Sequence, residues 1–193
     1  MRRSSDELSG NRRPGRRFDE KIKTGKAHYR SASVSASRFM NEALSVSGSA
    51  MGEPEDWNRM LEELILEIDT ARDFGFTDHE MDLARKEIVA SGERAVRTES
   101  TRNAKAVMQE IFDAVDEQVP VLSAQQDLDL IHQLLPTITT AEVGAAFKKN
   151  FAPGPFAYVL LLPEKTGVSV PRLEEVLAAA RAAWARRVES AKA

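Results

Sequence analysis

The chain has 193 residues, 42% hydrophobic and 30% charged, and a net charge of −3, a balance that suits one folded core with tails and gives no reason to expect nucleic acid as a partner. It contains no cysteine, which excludes disulfides and thiolate metal sites. The longest apolar run, Phe156–Leu162, is far too short to cross a membrane, and no apolar segment follows the N-terminal arginines, so the expectation is a soluble protein without a secretory signal, whose full-length form is cytoplasmic or exported.

Met1–Arg17 shows no hydrophobic period. Between Met1 and Arg30 ten Lys/Arg stand against four Asp/Glu, a local +6 that leaves −9 for the remainder. With Ser, Gly and Pro mixed in and no aromatic before Phe18, residues 1–17 read as a basic polar tail. Phe18–Lys23 suits the last turns of a helix. Ala32, Val34 and Ala36 then alternate with serines, and after a turn near Asn41 the pattern resumes at Leu44 and Val46 against Ser45, Ser47 and Ser49. Period two with small residues on both faces predicts a β-hairpin that needs a close cover, and the two long helices that follow are the natural one.

The segment Gly52–Val96 supplies those helices. Trp57, Met60/Leu61, Leu64/Ile65 and Ile68 recur at three- and four-residue intervals and share a helical face. Pro54 suits the first turn, and Glu53, Glu55 and Asp56 set negative charge against the positive end of the helix dipole. Gly75, between Phe74 and Phe76, ends the helix in a left-handed conformation. Thr77 and Glu80 have the capping-box spacing that starts a second helix, with Met81, Ala84, Ile88 and Ala95 as its stripe.

Ala104, Met108, Ile111/Phe112 and Val115 predict a third helix, or a continuation of the second after a break near Ser100. Two more capping-box spacings, Ser123 with Gln126 and Thr139 with Glu142, precede apolar periods and predict two short helices separated by Pro136. Asn150–Pro155 is a turn-rich break. Phe156–Leu162, ended by Pro163, predicts a strand in the middle of a sheet, since it is apolar on both sides. Pro171–Ala193 closes the chain with an amphipathic helix, Glu174 and Glu175 at its start and Arg186, Arg187 and Lys192 near its end. The order predicts an α+β fold, a small mainly antiparallel sheet covered by two long and several short helices, with a domain over 18–168 and a C-terminal helix over 169–193. Three strands are few for so much helix.

The three histidines are His28, His79 and His132. His79-Glu80 opens a His-Glu-x-x-His pattern, but Leu83 stands where the second histidine is needed, and the inverted His-x-x-Glu-His spacing fails at all three. The cluster Asp78, His79, Glu80, Asp82 is explained as acidic residues at a helix start. Gly48-Ser49-Ala50-Met51-Gly52 lacks one residue for the Gly-x-Ser-x-Gly elbow, and no phosphate-binding glycine loop or aromatic-basic interleaving occurs. Tyr29 and Trp57 read as packing residues. No catalytic, cofactor-binding or metal-ligating constellation is visible.

The helix corner nevertheless resembles a known family. Gly75, Phe76, Thr77, Glu80, Ala84 and Lys86, with Met81 in place of a leucine, match the "Gly-Phe/Tyr-Thr, then Glu-Leu, then Ala-Lys" pattern of the insulinase/pitrilysin family of zinc metallopeptidases, which includes the mitochondrial processing peptidases. Ile138-Thr139, Glu142-Val143, Phe147 and Phe151 look like its "Ile-Thr, then Glu-Val" helix, and Tyr158–Leu162 falls where its closing strand does. The similarity covers roughly Arg17–Lys165. Members carry His-x-x-Glu-His in an upstream domain. Its absence here implies the second, non-catalytic domain of a peptidase half, N-terminally truncated, because an edge strand and a helix precede the equivalent of Arg17-Phe18 in the family.

The resemblance implies zinc in a missing catalytic domain and none in this chain. It implies a share of the chamber wall, packing against a catalytic domain or partner subunit, and contact with peptide substrate through the assembled chamber; nucleic acid and membrane are not expected partners. Some inactive domains of the family hold substrate with an Arg and a Tyr shortly after the first helix. Lys23 and Tyr29 stand near those places, with Lys replacing Arg and a shorter spacing. A helical protein-interaction module unrelated to proteolysis fits the same periodicity.

Overall fold

The alternation of serines with Ala and Val folds as a hairpin: β1 (Tyr29–Phe39) pairs with β2 (Ala43–Gly52) in a two-stranded antiparallel sheet. The structure, a computed structural model, describes residues 13–39, 43–116, 118–164, 167–186 and 188. The turn near Asn41, the residues before Arg13, Arg187 and Lys192 lie outside them. Ser33 Oγ meets Ser49 Oγ at 2.9 Å and Ser35 Oγ meets Ser47 Oγ at 2.8 Å, which fixes the register and puts the serines on the solvent face. Ala32, Val34, Val46 and Ala50 take the other face.

The chain divides into two compact units, residues 1–37, 46–75 and 143–193 in the first and residues 38–45 and 76–142 in the second. In the first, α1 (Arg13–Lys23) and α2 (Trp57–Phe74) close over the hairpin. Phe18–Lys23, expected as the last turns of a helix, are the last turns of α1, whose first residues lie in the stretch read as a tail. Phe18, Tyr29, Val34, Met60, Leu64, Ile68 and Phe151 form one buried cluster. The small hairpin residues matter because α2 lies so close. A Cβ on Gly52 would stand 2.8 Å from the His28 carbonyl oxygen and 2.7 Å from Met60 Sδ. The predicted Pro54 turn is a short 3-10 turn, Pro54–Asp56, ahead of α2. At the other end Gly75 has φ 69° and donates to the Ala71 carbonyl at 3.0 Å, and its own carbonyl accepts from Arg17 Nη2 at 2.9 Å.

α7 (Leu173–Ala185) packs its Ala180 and Ala183 against Ile65 and Leu61 on the far side of α2. Trp184 joins that contact to the segment before it. Its ring stacks on Phe156 at 5.2 Å, its Nε1 donates to Tyr158 Oη at 2.9 Å, and the Arg72 guanidinium sits 5.7 Å from its centroid.

The predicted central strand over Phe156–Leu162 is not a strand in the described residues. It is irregular chain without ladder hydrogen bonds. Phe156 and Tyr158 turn inward to Trp184, while Val159 and Leu161 are 83% and 88% exposed. An apolar run specifies side chains that favour a sheet, but the ladder needs a second backbone, and the hairpin does not provide one here.

In the second unit α3 (Asp78–Thr98) packs on α5 (Ala124–Leu134), with α4 (Ala104–Asp116) between them in sequence. Of the two long helices expected as covers, α2 contributes Met60, Leu64 and Ile68 to the hairpin core, whereas α3 packs on α5. The break near Ser100 is real: a 3-10 turn, Glu99–Thr101, separates α3 from α4. The capping boxes at Thr77/Glu80 and Ser123/Gln126 are formed, and at the third Thr139 N donates to Glu142 at 2.8 Å while Glu142 N donates to Thr139 Oγ1 at 3.2 Å, at the head of α6 (Thr140–Asn150). The apolar face foreseen on α4 exists, yet Met108, Phe112 and Val115 are exposed.

Candidate functional site

In the first unit a cluster of polar groups sits where α1 and the start of β1 meet α2. Glu63 and Glu67 are four residues apart on α2 and therefore on one face. Glu63 accepts from the His28 backbone at 3.3 Å and pairs with His28 Nδ1 at 2.5 Å. Glu67 is buried and pairs with Lys21 Nζ.

Tyr29 reaches into the same region. Its ring is 3% exposed and meets Phe18 edge-on, centroids 5.6 Å apart at 83°. Its hydroxyl is buried without a hydrogen-bond partner. Burial raises the phenol pKa well above its ordinary value, and the negative charges of Glu63, Glu67 and Asp19 raise it further. Both effects favour the protonated phenol. Lys23 lies exposed in the last turn of α1. The structure therefore separates the two residues singled out from the sequence, one in solvent and one in the core.

This arrangement can lock α1 and β1 onto α2 through half-buried pairs, Lys21 with Glu67 and His28 with Glu63. A carboxylate holding an imidazole is half of a general-base system, but the described residues place no hydroxyl or thiol nucleophile on it. Sequence reasoning missed Glu67 and a second buried acid, Asp69. Asp69 is 4% exposed and stands 2.6 Å from Arg72 Nη1 without hydrogen-bond alignment at its Oδ1. Burial raises its pKa, Arg72 opposes that, and Asp73 adds to it. The one available signal was basic residues at reach, Lys21 across the core and Arg72 three positions on.

Neither a protein-family model nor a curated protein matches the sequence. Solved structures do match in shape. The first half of the periplasmic protease PqqL from Escherichia coli aligns with a TM-score of 0.70 and 13% identity, over 97% of this chain and 39% of that one. A predicted insulinase family protease from Yersinia pestis aligns at 0.64 and 13% identity, over 89% of this chain and 38% of that one. The fold is that of an insulinase-family protease domain. A second structure of the periplasmic protease PqqL from Escherichia coli aligns at 0.73 over 97% of this chain and 20% of its own, so the chain spans about a fifth of its length. The ferredoxin protease FusC, solved in complex with Arabidopsis ferredoxin, aligns at 0.55 over 97% of this chain and 21% of its own.

Zinc, which this fold family implies, does not fit the described residues. His28 is held by Glu63, His79 stands in the first turn of α3 and His132 in the last turn of α5. Among the described residues no group of three His, Asp or Glu side chains converges as a ligand set would require.

Proposed function

We propose that this chain is the non-catalytic domain of an insulinase-like zinc metalloendopeptidase, forming part of a substrate chamber and packing against a catalytic domain or partner subunit. The observation that carries the reading is the shape match over 97% of the chain to proteases of which it spans only a fifth to two fifths. The order of Gly75, Thr77, Glu80, Ala84, Lys86, Thr139 and Glu142 along the chain supports the same family. FusC has been solved in complex with ferredoxin, so a polypeptide is the substrate class proposed for the assembled enzyme.

In this reading the zinc and its glutamate base belong to the missing domain, and this chain contributes shape. The exposed Val159 and Leu161 offer an apolar edge of the kind that packs against another domain. Lys23, in solvent at the end of α1, is the proposed contact with substrate, and Tyr29 holds the β1 start behind it.

The test is hydrolysis of a quenched fluorogenic peptide library by the purified chain, with and without 1,10-phenanthroline. No turnover above buffer is expected. Cleavage that the chelator abolishes would overturn the proposal.

A further inference from the structure

The second unit contains a groove that neither the fold assignment nor the proposed chamber role uses. It runs between α3 and α5 and the 3-10 turn after α5, Leu135–Thr137, with a cavity volume of about 580 Å³. The size suits a small ligand. Val89, Ala90, Ile131, Leu135 and Pro136 give it an apolar lining. The two helices run antiparallel along it, since Gly92 lies against Leu128 and Ile131 while Arg85 reaches the Ile138 carbonyl.

The charges at its rim are unequal in availability. Arg85 is committed, with Nη1 on Asp82 at 3.1 Å and Nη2 on the Ile138 carbonyl at 2.7 Å, and its Nε enclosed without a partner. Glu93, at the other end, faces Arg97 at 4.0 Å. Lys86 is exposed, lines the groove and forms no ion pair among the described residues. His132 stands opposite on the last turn of α5. Among the described residues, the uncompensated charge over the apolar lining is therefore a cation, on a four-carbon stem that can lie along the wall while its head meets a ligand.

We infer that this groove binds a small amphipathic carboxylate, its apolar body on Val89, Ile131 and Leu135 and its carboxylate at Lys86. Such chemistry is shared by a medium-chain fatty acid and by the free C-terminus of an apolar peptide. The juxtaposition of an apolar groove with the Lys86 ammonium, unpaired among the described residues, selects against cationic and uncharged amphiphiles of the same size.

Isothermal titration of the whole chain with octanoate, with N-acetyl-leucyl-leucine and with octyltrimethylammonium, each below its micellar range, tests this. Saturable one-to-one binding is expected for at least one of the two carboxylates, and which one binds distinguishes the two sources. Lys86→Glu is expected to weaken that binding about fivefold to tenfold, as one surface ion pair is replaced by a repulsion. Ala90→Phe, which fills the groove from its wall, is expected to abolish it while leaving the far-UV circular dichroism unchanged. Absence of saturable binding by both carboxylates, equal binding of the octyl cation, or affinity unchanged in Lys86→Glu would each overturn the inference.

Discussion

Gly52 shows how one missing methyl sets a contact. It ends β2 where Met60 of α2 and the His28–Tyr29 backbone converge, and an alanine there would force its Cβ to 2.8 Å from a backbone oxygen that cannot swing aside. Gly52→Ala is expected to lower the urea midpoint by an amount equivalent to about 1–3 kcal/mol, the usual range for overpacking. An unchanged midpoint would show that β2 shifts freely at its end. Asp69 makes a residue-scale prediction of a different kind. Its carboxyl pKa is raised in the folded chain, chiefly by burial, so the native state binds the proton more tightly than the unfolded state. The associated stability is fully present below the unfolded carboxyl pKa and is lost as pH rises through the folded value. Asp69→Asn removes that loss, and Arg72 keeps Asp73, whose Oδ1 accepts from Nε at 3.0 Å. The midpoint difference between Asp69→Asn and the parent chain is therefore expected to grow in favour of the variant from pH 3 to pH 7. A difference independent of pH would contradict the assignment.

Among the elements, the helix starts were legible because a cap is local. Thr77 and Glu80 satisfy each other's backbone within four residues, with Thr77 N donating to Glu80 Oε2 at 2.7 Å, and nothing outside those residues is needed. Thr77→Ala is expected to cost about 1 kcal/mol, read as a lowered urea midpoint. The elements misjudged from sequence are those whose state depends on a partner. Phe156–Leu162 has the composition of a buried strand, yet composition reports what a backbone favours and not whether a neighbour is there to pair with it. The stripe Met108, Phe112, Val115 is a helical face as foreseen, and it stays open to solvent for the same reason. Buried Glu67 and Asp69 were invisible because acids on a helix normally mark its wet side, and only the positions of Lys21 and Arg72 in space reverse that. The proposed groove between α3 and α5 was likewise unreadable: Lys86 entered the sequence reading as part of a family pattern, and nothing local says that a cavity opens beside it.

For the whole molecule, the proposed role beside a catalytic domain or partner subunit gives the open apolar surfaces a testable meaning. If a catalytic domain or partner subunit packs on this chain as proposed, the apolar residues that would meet it stand exposed in the chain alone. Val159 and Leu161 are the sharpest instance, since each projects an aliphatic side chain into water from a segment whose other residues, Phe156 and Tyr158, are held by Trp184. If their apolarity serves an external contact, replacing both should hardly affect folding. The double variant Val159→Lys/Leu161→Lys is expected to unfold within about 0.5 kcal/mol of the parent chain, as surface substitutions do, and to sediment as a monomer at concentrations where the parent chain self-associates through exposed apolar surface. Sedimentation velocity across a concentration series, paired with urea unfolding, separates the outcomes. A fall in the unfolding midpoint equivalent to about 2 kcal/mol or more would mean that these side chains are buried in solution, in the manner of a core substitution. The segment would then be a strand of this unit's own sheet, not an edge that awaits another domain.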